Sequence, residues 1–274
     1  MLRCTLKAAL ASAALSFLAA CGALPRQSPV DLLATSLPAN GFQLADQGEG
    51  AQRLLARLRS TPAGETLTIY IEGDGAAWPG AYRPPDDPTP DDAVVLGMTL
   101  ADPAANVAYL ARPCQYLSAI ALSNCDRAQW TVGRFAPEVV LRMDAAVDAL
   151  KRRANATSLH LVGYSGGGTI AALLAARRSD VTRLITVAAP LRVQAWTTHH
   201  RVTPLTASLD PDTLRSLPAT LQAVHFFGAE DKVTPRVVME PWIARLGGRA
   251  VEVPRFDHSC CWSRDWCALL EGIR

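Results

Sequence analysis

The sequence predicts an α/β fold with a mostly parallel central sheet flanked by helices. Three observations carry that prediction. From residue 67 onward, short β-branched segments alternate with stretches of helical periodicity, and such alternation calls for parallel strands joined by crossover helices. Hydrophobic residues make up 49% of the 274 positions, enough to bury one large core in one domain. Residues 162–168, V-G-Y-S-G-G-G, set a serine among glycines where a strand gives way to a helix.

Residues 1–20 read as a secretory signal: Arg3 and Lys7 precede an apolar run that is too short to span a bilayer comfortably. The run ends in L-A-A-C-G, which resembles the lipobox of bacterial lipoproteins. That resemblance implies cleavage before Cys21 and acylation of Cys21 itself. Two or more acyl chains, at about 0.8 kcal/mol per buried CH₂, make a stable anchor. An ordinary cleaved signal followed by a chance cysteine is the alternative. Gly22 stands where Asp would favour inner-membrane retention, so the expected location is the outer membrane, facing the periplasm. Losing Arg3 and Lys7 takes 27 basic residues to 25, against 25 acidic ones. A neutral mature chain has no bulk electrostatic reason to bind nucleic acid or anionic lipid.

Cys4 leaves with the signal and Cys21 would carry lipid, and in an oxidising periplasm the five remaining cysteines are candidates for disulfides. Cys114 with Cys125 would close a short loop, and Cys260 or Cys261 could reach Cys267, leaving one thiol over. A zinc site is the alternative, but paired C-x-x-C units are missing, so no metal is expected.

Along the chain, residues 21–60 read as a tether ending in a short amphipathic helix over 51–59, with Leu54, Leu55 and Leu58 on one face. The domain proper is placed at 61–274. Its first strand is 67–72, followed by a Pro- and Asp-rich loop over 78–92 that forbids regular structure. A second strand is expected over 105–111. Residues 137–153 carry Val139, Val140, Met143, Ala146, Val147 and Leu150 at helical spacing, with Pro137 suited to the first turn. Then come a strand at 158–164, a helix at 166–178, a strand at 183–187 and an irregular excursion over 190–218. A strand at 223–227, a helix at 237–246, a strand at 250–253 and a helix at 264–272 complete the chain.

Gly163-Tyr164-Ser165-Gly166-Gly167 fits G-x-S-x-G after a strand and before a helix, the setting of a nucleophile elbow. Glycines beside such a serine relieve collisions with the neighbouring strand and helix. A phosphate-binding loop competes for the same residues. There is no G-K-[ST], so a P-loop is out. Residues 166–171 do match the G-x-G-x-x-A dinucleotide form, but that form wants an acidic residue after the next strand, which ends in Ala188-Ala189-Pro190.

A serine hydroxyl needs a base within hydrogen-bond reach, and the base needs an orienting carboxylate. The loop after strand 223–227 supplies Asp231, with Glu230 beside it and Asp257 as a further candidate; the loop after the last strand supplies His258. His160 and His225 lie within strands, whereas His199 and His200 precede the acid, the wrong order for the base. Acyl transfer also needs backbone N–H groups to meet the oxyanion. Gly166 is one expected donor and Asp74, in Glu72-Gly73-Asp74-Gly75, the other. The side chains of Glu72 and Asp74 would be unfavourable there unless they point away or are hydrogen-bonded.

With these residues in place, the chain resembles the α/β-hydrolase superfamily over residues 61–274. More narrowly, I-E-G-D-G-A-A-W, A-R-P-C-Q-Y, W-T-V-G-R-F and L-V-G-Y-S-G-G-G resemble segments of uncharacterised bacterial α/β-hydrolase lipoproteins. The resemblance implies a serine hydrolase with a Ser165, Asp231 and His258 triad and no cofactor. Glu72 departs from the histidine that many members carry before the oxyanion-loop glycine. Residues 191–218, with Trp196, His199, His200 and Leu205, lie where such folds insert a cap. Trp78, Trp130 and Trp262 read as core or rim. The expected activity is hydrolysis of a small-molecule ester by an envelope-anchored enzyme. Thioesterase, peptidase and acyltransferase chemistry, or a non-catalytic binding role, are the alternatives.

Overall fold

The computed structural model describes residues 28–61, 64–76 and 83–273. Eight strands form one sheet: β1 (Gln43–Leu44), β2 (Ala56–Arg59), β3 (Thr66–Ile71), β4 (Val107–Leu110), β5 (Ser158–Tyr164), β6 (Val181–Val187), β7 (Gln222–Gly228) and β8 (Arg249–Val253). Their order is β1-β2-β4-β3-β5-β6-β7-β8. The two junctions made by β2 are antiparallel and all others are parallel.

Period-two side-chain alternation splits the core into two layers. In β3, Leu67, Ile69 and Ile71 join the cluster under the helices Pro137–Arg153, Gly166–Ala175 and Arg236–Leu246. Tyr70 points the other way, into the layer formed with the helices Val94–Ala101 and Trp262–Glu271. The helix Pro137–Arg153 runs over the predicted span and buries the six predicted residues. Glu138 in its first turn and Lys151, Arg152 and Arg153 in its last complement the helix dipole.

Residues 51–59, expected as an amphipathic helix, form a 3₁₀ turn (Gly50–Gln52) and strand β2. Both of its faces are buried: Leu54, Ala56 and Leu58 enter one core layer and Leu55 the other. From residue 28 onward the expected tether also belongs to the folded body. Leu32, Leu33 and Leu37, in a helical run over residues 29–39, and Phe42 are buried in the second layer.

The expected irregular excursion contains a helix, Val193–His200. Its N-terminal amides are capped by Asp210, whose two carboxylate oxygens accept from Val193 N and Gln194 N. A cap from so far downstream leaves no local start signal. Trp130 and Trp262 are core residues.

Cys114 and Cys125 are bonded to each other, as expected. Cys260 bonds its neighbour Cys261, which corrects the expected bond from one of them to Cys267; Cys267 is itself disulfide-bonded, so it is not the thiol left over. The signal segment, Cys4, Cys21 and Trp78 lie outside the described residues. Among the described residues, no helix is long and apolar enough to cross a membrane.

Candidate active site

Strand β5 delivers Ser165 directly into the helix Gly166–Ala175, and the turn forces the serine to φ 49° and ψ −127°. A non-glycine residue held there costs roughly 1–3 kcal/mol, which the surrounding contacts must offset. The flanking glycines explain how the turn closes. A Cβ on Gly163 would lie 2.2 Å from the Gly167 carbonyl oxygen, and one on Gly167 would lie 2.3 Å from the Ile71 oxygen. Ser165 N donates to the Val187 oxygen at 2.9 Å, which ties the elbow to β6.

Three loops at the carboxyl ends of β5, β7 and β8 bring Ser165, Asp231 and His258 together. His258 Nδ1 lies 3.0 Å from Asp231 Oδ2, and His258 Nε2 lies 3.1 Å from Ser165 Oγ. A carboxylate only accepts, so Nδ1 donates to it, and Nε2 of the neutral ring is left to accept the serine proton.

Asp231 also accepts from Val233 N at 2.7 Å, Thr234 N at 2.9 Å and Thr234 Oγ1 at 2.7 Å. Burial pushes its carboxyl up, but the bonds from His258 and Thr234 outweigh burial and leave it below the ordinary range. The His258 backbone is held from behind as well: the Tyr164 hydroxyl and Trp262 Nε1 both donate to its carbonyl, at 3.0 and 2.9 Å.

The competing candidates have other places. Glu230 is exposed, and Asp257 Oδ1 accepts from Ser259 N and Cys260 N in a local turn. His225 is buried, with Nδ1 2.8 Å from Thr186 Oγ1, and burial pulls it down to about 4. Burial also pulls His160 down to about 4, aided by Arg183. His200 Nε2 and Trp196 Nε1 both reach the Val233 carbonyl, so the 191–218 segment braces the loop carrying Asp231.

The loop after β3 lies against the elbow. Gly73 N donates to Glu72 Oε1 at 2.8 Å, whereas Asp74 N and Gly166 N have no acceptor among the described residues. The two worrying carboxylates are both engaged. Glu72 is buried and accepts from the Tyr109 hydroxyl at 2.7 Å; burial raises its carboxyl to about 7 despite that bond and the one from Gly73.

Asp74 pairs with Arg112 Nη1 at 3.3 Å and Arg134 Nη1 at 2.8 Å. Sequence reasoning did not single out either arginine, although each lies in a quoted segment. Beside His258 opens a cavity of about 820 Å³, lined by Ala229, Glu230, Lys232, Val233 and Ser259 among others. No group of three His, Cys, Asp or Glu residues suited to a metal ion occurs among the described residues.

No protein-family model and no curated protein matches the sequence. Solved structures do match the fold. An α/β serine hydrolase homologue from Coxiella burnetii superimposes with TM-score 0.55 at 14% identity, covering 84% of this chain and 95% of that one. Est1E from Butyrivibrio proteoclasticus, solved with ferulic acid bound, gives 0.58 at 14% identity over 81% and 95%. A membrane phospholipase A described as a bacterial virulence factor gives 0.51 at 17% identity over 90% and 92%. Sheet order, the elbow after β5 and these likenesses together show that the chain has the α/β-hydrolase fold.

Proposed function

We propose that the chain is a serine hydrolase that cleaves a carboxylic ester through an acyl-enzyme. The observation that carries this reading is the unbroken relay from buried Asp231 through His258 to Ser165, at 3.0 and 3.1 Å. In the proposed reaction, Ser165 Oγ attacks the ester carbonyl while His258 Nε2 takes its proton. The oxyanion is met by the N–H groups of Gly166 and Asp74. Collapse expels the alcohol with the proton from His258, and a water activated by the same base releases the acid.

The ester class is supported by a fold neighbour described as a membrane phospholipase A, beside another, Est1E, that was solved with ferulic acid bound. Thioester, peptide or acyl-transfer chemistry would use the same relay. Residues 191–218 are proposed as a partial cap that shapes the pocket. Cys21 is proposed as the lipid anchor of an envelope protein facing the periplasm.

Fluorophosphonate labelling tests the reading. The folded protein should be modified at Ser165, and Ser165→Ala should not be. Absence of labelling in the wild type would sink the hydrolase assignment. p-Nitrophenyl esters of graded chain length, run beside thioester and amide substrates, would assign the bond. Globomycin-sensitive processing that disappears in Cys21→Ser would test the anchor.

A further inference from the structure

Residues 71–76 of I-E-G-D-G-A-A-W, together with A-R-P-C-Q-Y and W-T-V-G-R-F, contribute nothing to the triad, yet they meet beside it. Asp74 comes from the first, Arg112 and Gln115 from the second, and Arg134 from the third. Asp74 Oδ1 occupies the space above Gly166: a Cβ on Gly166 would lie 1.9 Å from it. The same carboxylate is held by Arg112 through Oδ1 and by Arg134 through Oδ2. The Arg112 and Arg134 side chains are only 4% and 10% exposed, so the ion cluster is largely shielded from water.

The arginines are themselves fixed. Arg112 Nη2 donates to the Arg134 carbonyl, its guanidinium stacks on Phe135 at 5.4 Å, and Arg134 Nε donates to the Thr131 oxygen at 2.9 Å. Gln115 completes the frame: its Nε2 donates to the Gly73 oxygen at 3.0 Å and its Oε1 accepts from Arg112 N at 2.9 Å. Gln115 is fully buried between two residues in the left-handed region, Cys114 at φ 71° and Tyr116 at φ 57°.

We propose, on the serine-hydrolase reading above, that Asp74 is a positioning residue whose carboxylate, gripped by Arg112 and Arg134, holds its own backbone N–H toward the oxyanion site. The grip fixes the Asp74 peptide beside the elbow, while the two guanidinium groups offset a negative charge that would otherwise oppose the oxyanion. It also explains why Gly166 has no side chain. The Asp74 carboxylate occupies the volume that one would need.

The test is steady-state hydrolysis of a p-nitrophenyl ester by the full chain, with kcat expressed per site titrated by fluorophosphonate. Asp74→Ala should lower kcat per titrated site about 10- to 100-fold, the size of effect that follows when a reacting group is misplaced by about 1 Å. KM should stay within about threefold, because an interaction made only with the oxyanion of the transition state lowers kcat without weakening binding of the ground-state ester. Asp74→Asn, which can still accept from Arg134, should recover part of the loss. Should Asp74→Ala not fold, Arg134→Gln and Arg134→Lys provide the same comparison, with the lysine variant nearer wild type in kcat. A kcat per titrated site within threefold of wild type in Asp74→Ala, or in Arg134→Gln, would overturn the proposal. So would a loss fully accounted for by fewer titratable sites, the mark of a merely structural role. An unlabelled, inactive wild type would overturn the hydrolase reading, and this inference with it.

Discussion

Asp231 and His258 meet at 3.0 Å, with the carboxylate side chain wholly buried and the imidazole 19% exposed. In the proposed mechanism Asp231 therefore acts through geometry, fixing which ring nitrogen of His258 carries the proton. Asp231→Asn should favour the wrong tautomer and lower kcat by about 10³- to 10⁴-fold. Glu230→Gln, at an exposed neighbour, should leave kcat within twofold. Loss of activity in Glu230→Gln alone would show that the relay is misassigned.

Gly167 packs its Cα against the backbone of β3, where an added Cβ would lie 2.3 and 2.4 Å from the Ile71 and Glu72 oxygens. Backbone cannot swing away as a side chain can, so Gly167→Ala should cost about 3 kcal/mol or more. Gly272→Ala is the control, since the nearest atom to its Cβ would be 3.6 Å away, and it should change stability by less than about 0.5 kcal/mol. Urea denaturation midpoints compare the two, and equal midpoints would refute the packing argument.

Glu72 gives stability a pH dependence whose sign follows from its raised carboxyl. Burial lifts it from 4.5 unfolded to about 7 folded, opposed by Tyr109, Gly73 N and Arg112. The folded state therefore holds the extra proton between those values, and unfolding free energy falls as pH rises through that window. Glu72→Gln keeps an acceptor for Gly73 N and removes the titration. The variant should be more stable than wild type at pH 8, by on the order of 2 kcal/mol, with the gap closing toward pH 4. Parallel curves of melting temperature against pH would contradict this.

The Cys114–Cys125 bridge spans a sequence separation of 11 and carries Gln115, which braces Gly73. Cys125→Ser should lower stability by about 3 kcal/mol, as expected for a loop of this length. Because Gln115 loosens with it, kcat should fall while triad labelling persists. A variant with unchanged kcat would separate the bridge from the oxyanion loop.

What could be read from the chain varied with how each segment meets solvent. The helix Pro137–Arg153 was legible because one face is buried and the other wet, which writes a 3.6-residue period into the sequence. The helix Val94–Ala101 was not, since V-V-L-G-M-T-L-A is apolar nearly all round and packs between the sheet and the helix Trp262–Glu271. Strand β2 was misread because Leu54, Leu55 and Leu58 suit a helix face, whereas a strand buried on both sides shows no alternation. Adjacent cysteines left the pairing of Cys260 and Cys261 open, because spacing does not fix connectivity.

By itself the sequence determined the succession of the parallel strands β3 to β8, the glycine-relieved turn at Ser165, and the succession of serine, acid and histidine on loops after strands. Those features are local: they depend on side-chain period, turn chemistry and position along the chain. Only the tertiary structure decided that Asp231, and not Glu230 or Asp257, faces His258, and that Arg112 and Arg134 turn inward to grip Asp74 above Gly166. Hydrogen bonds and buried ion pairs act over about 3 Å, whereas Ser165 and His258 lie 93 residues apart. Such contacts exist only after the parallel crossovers bring the carboxyl ends of β3, β5, β7 and β8 to the same edge of the sheet.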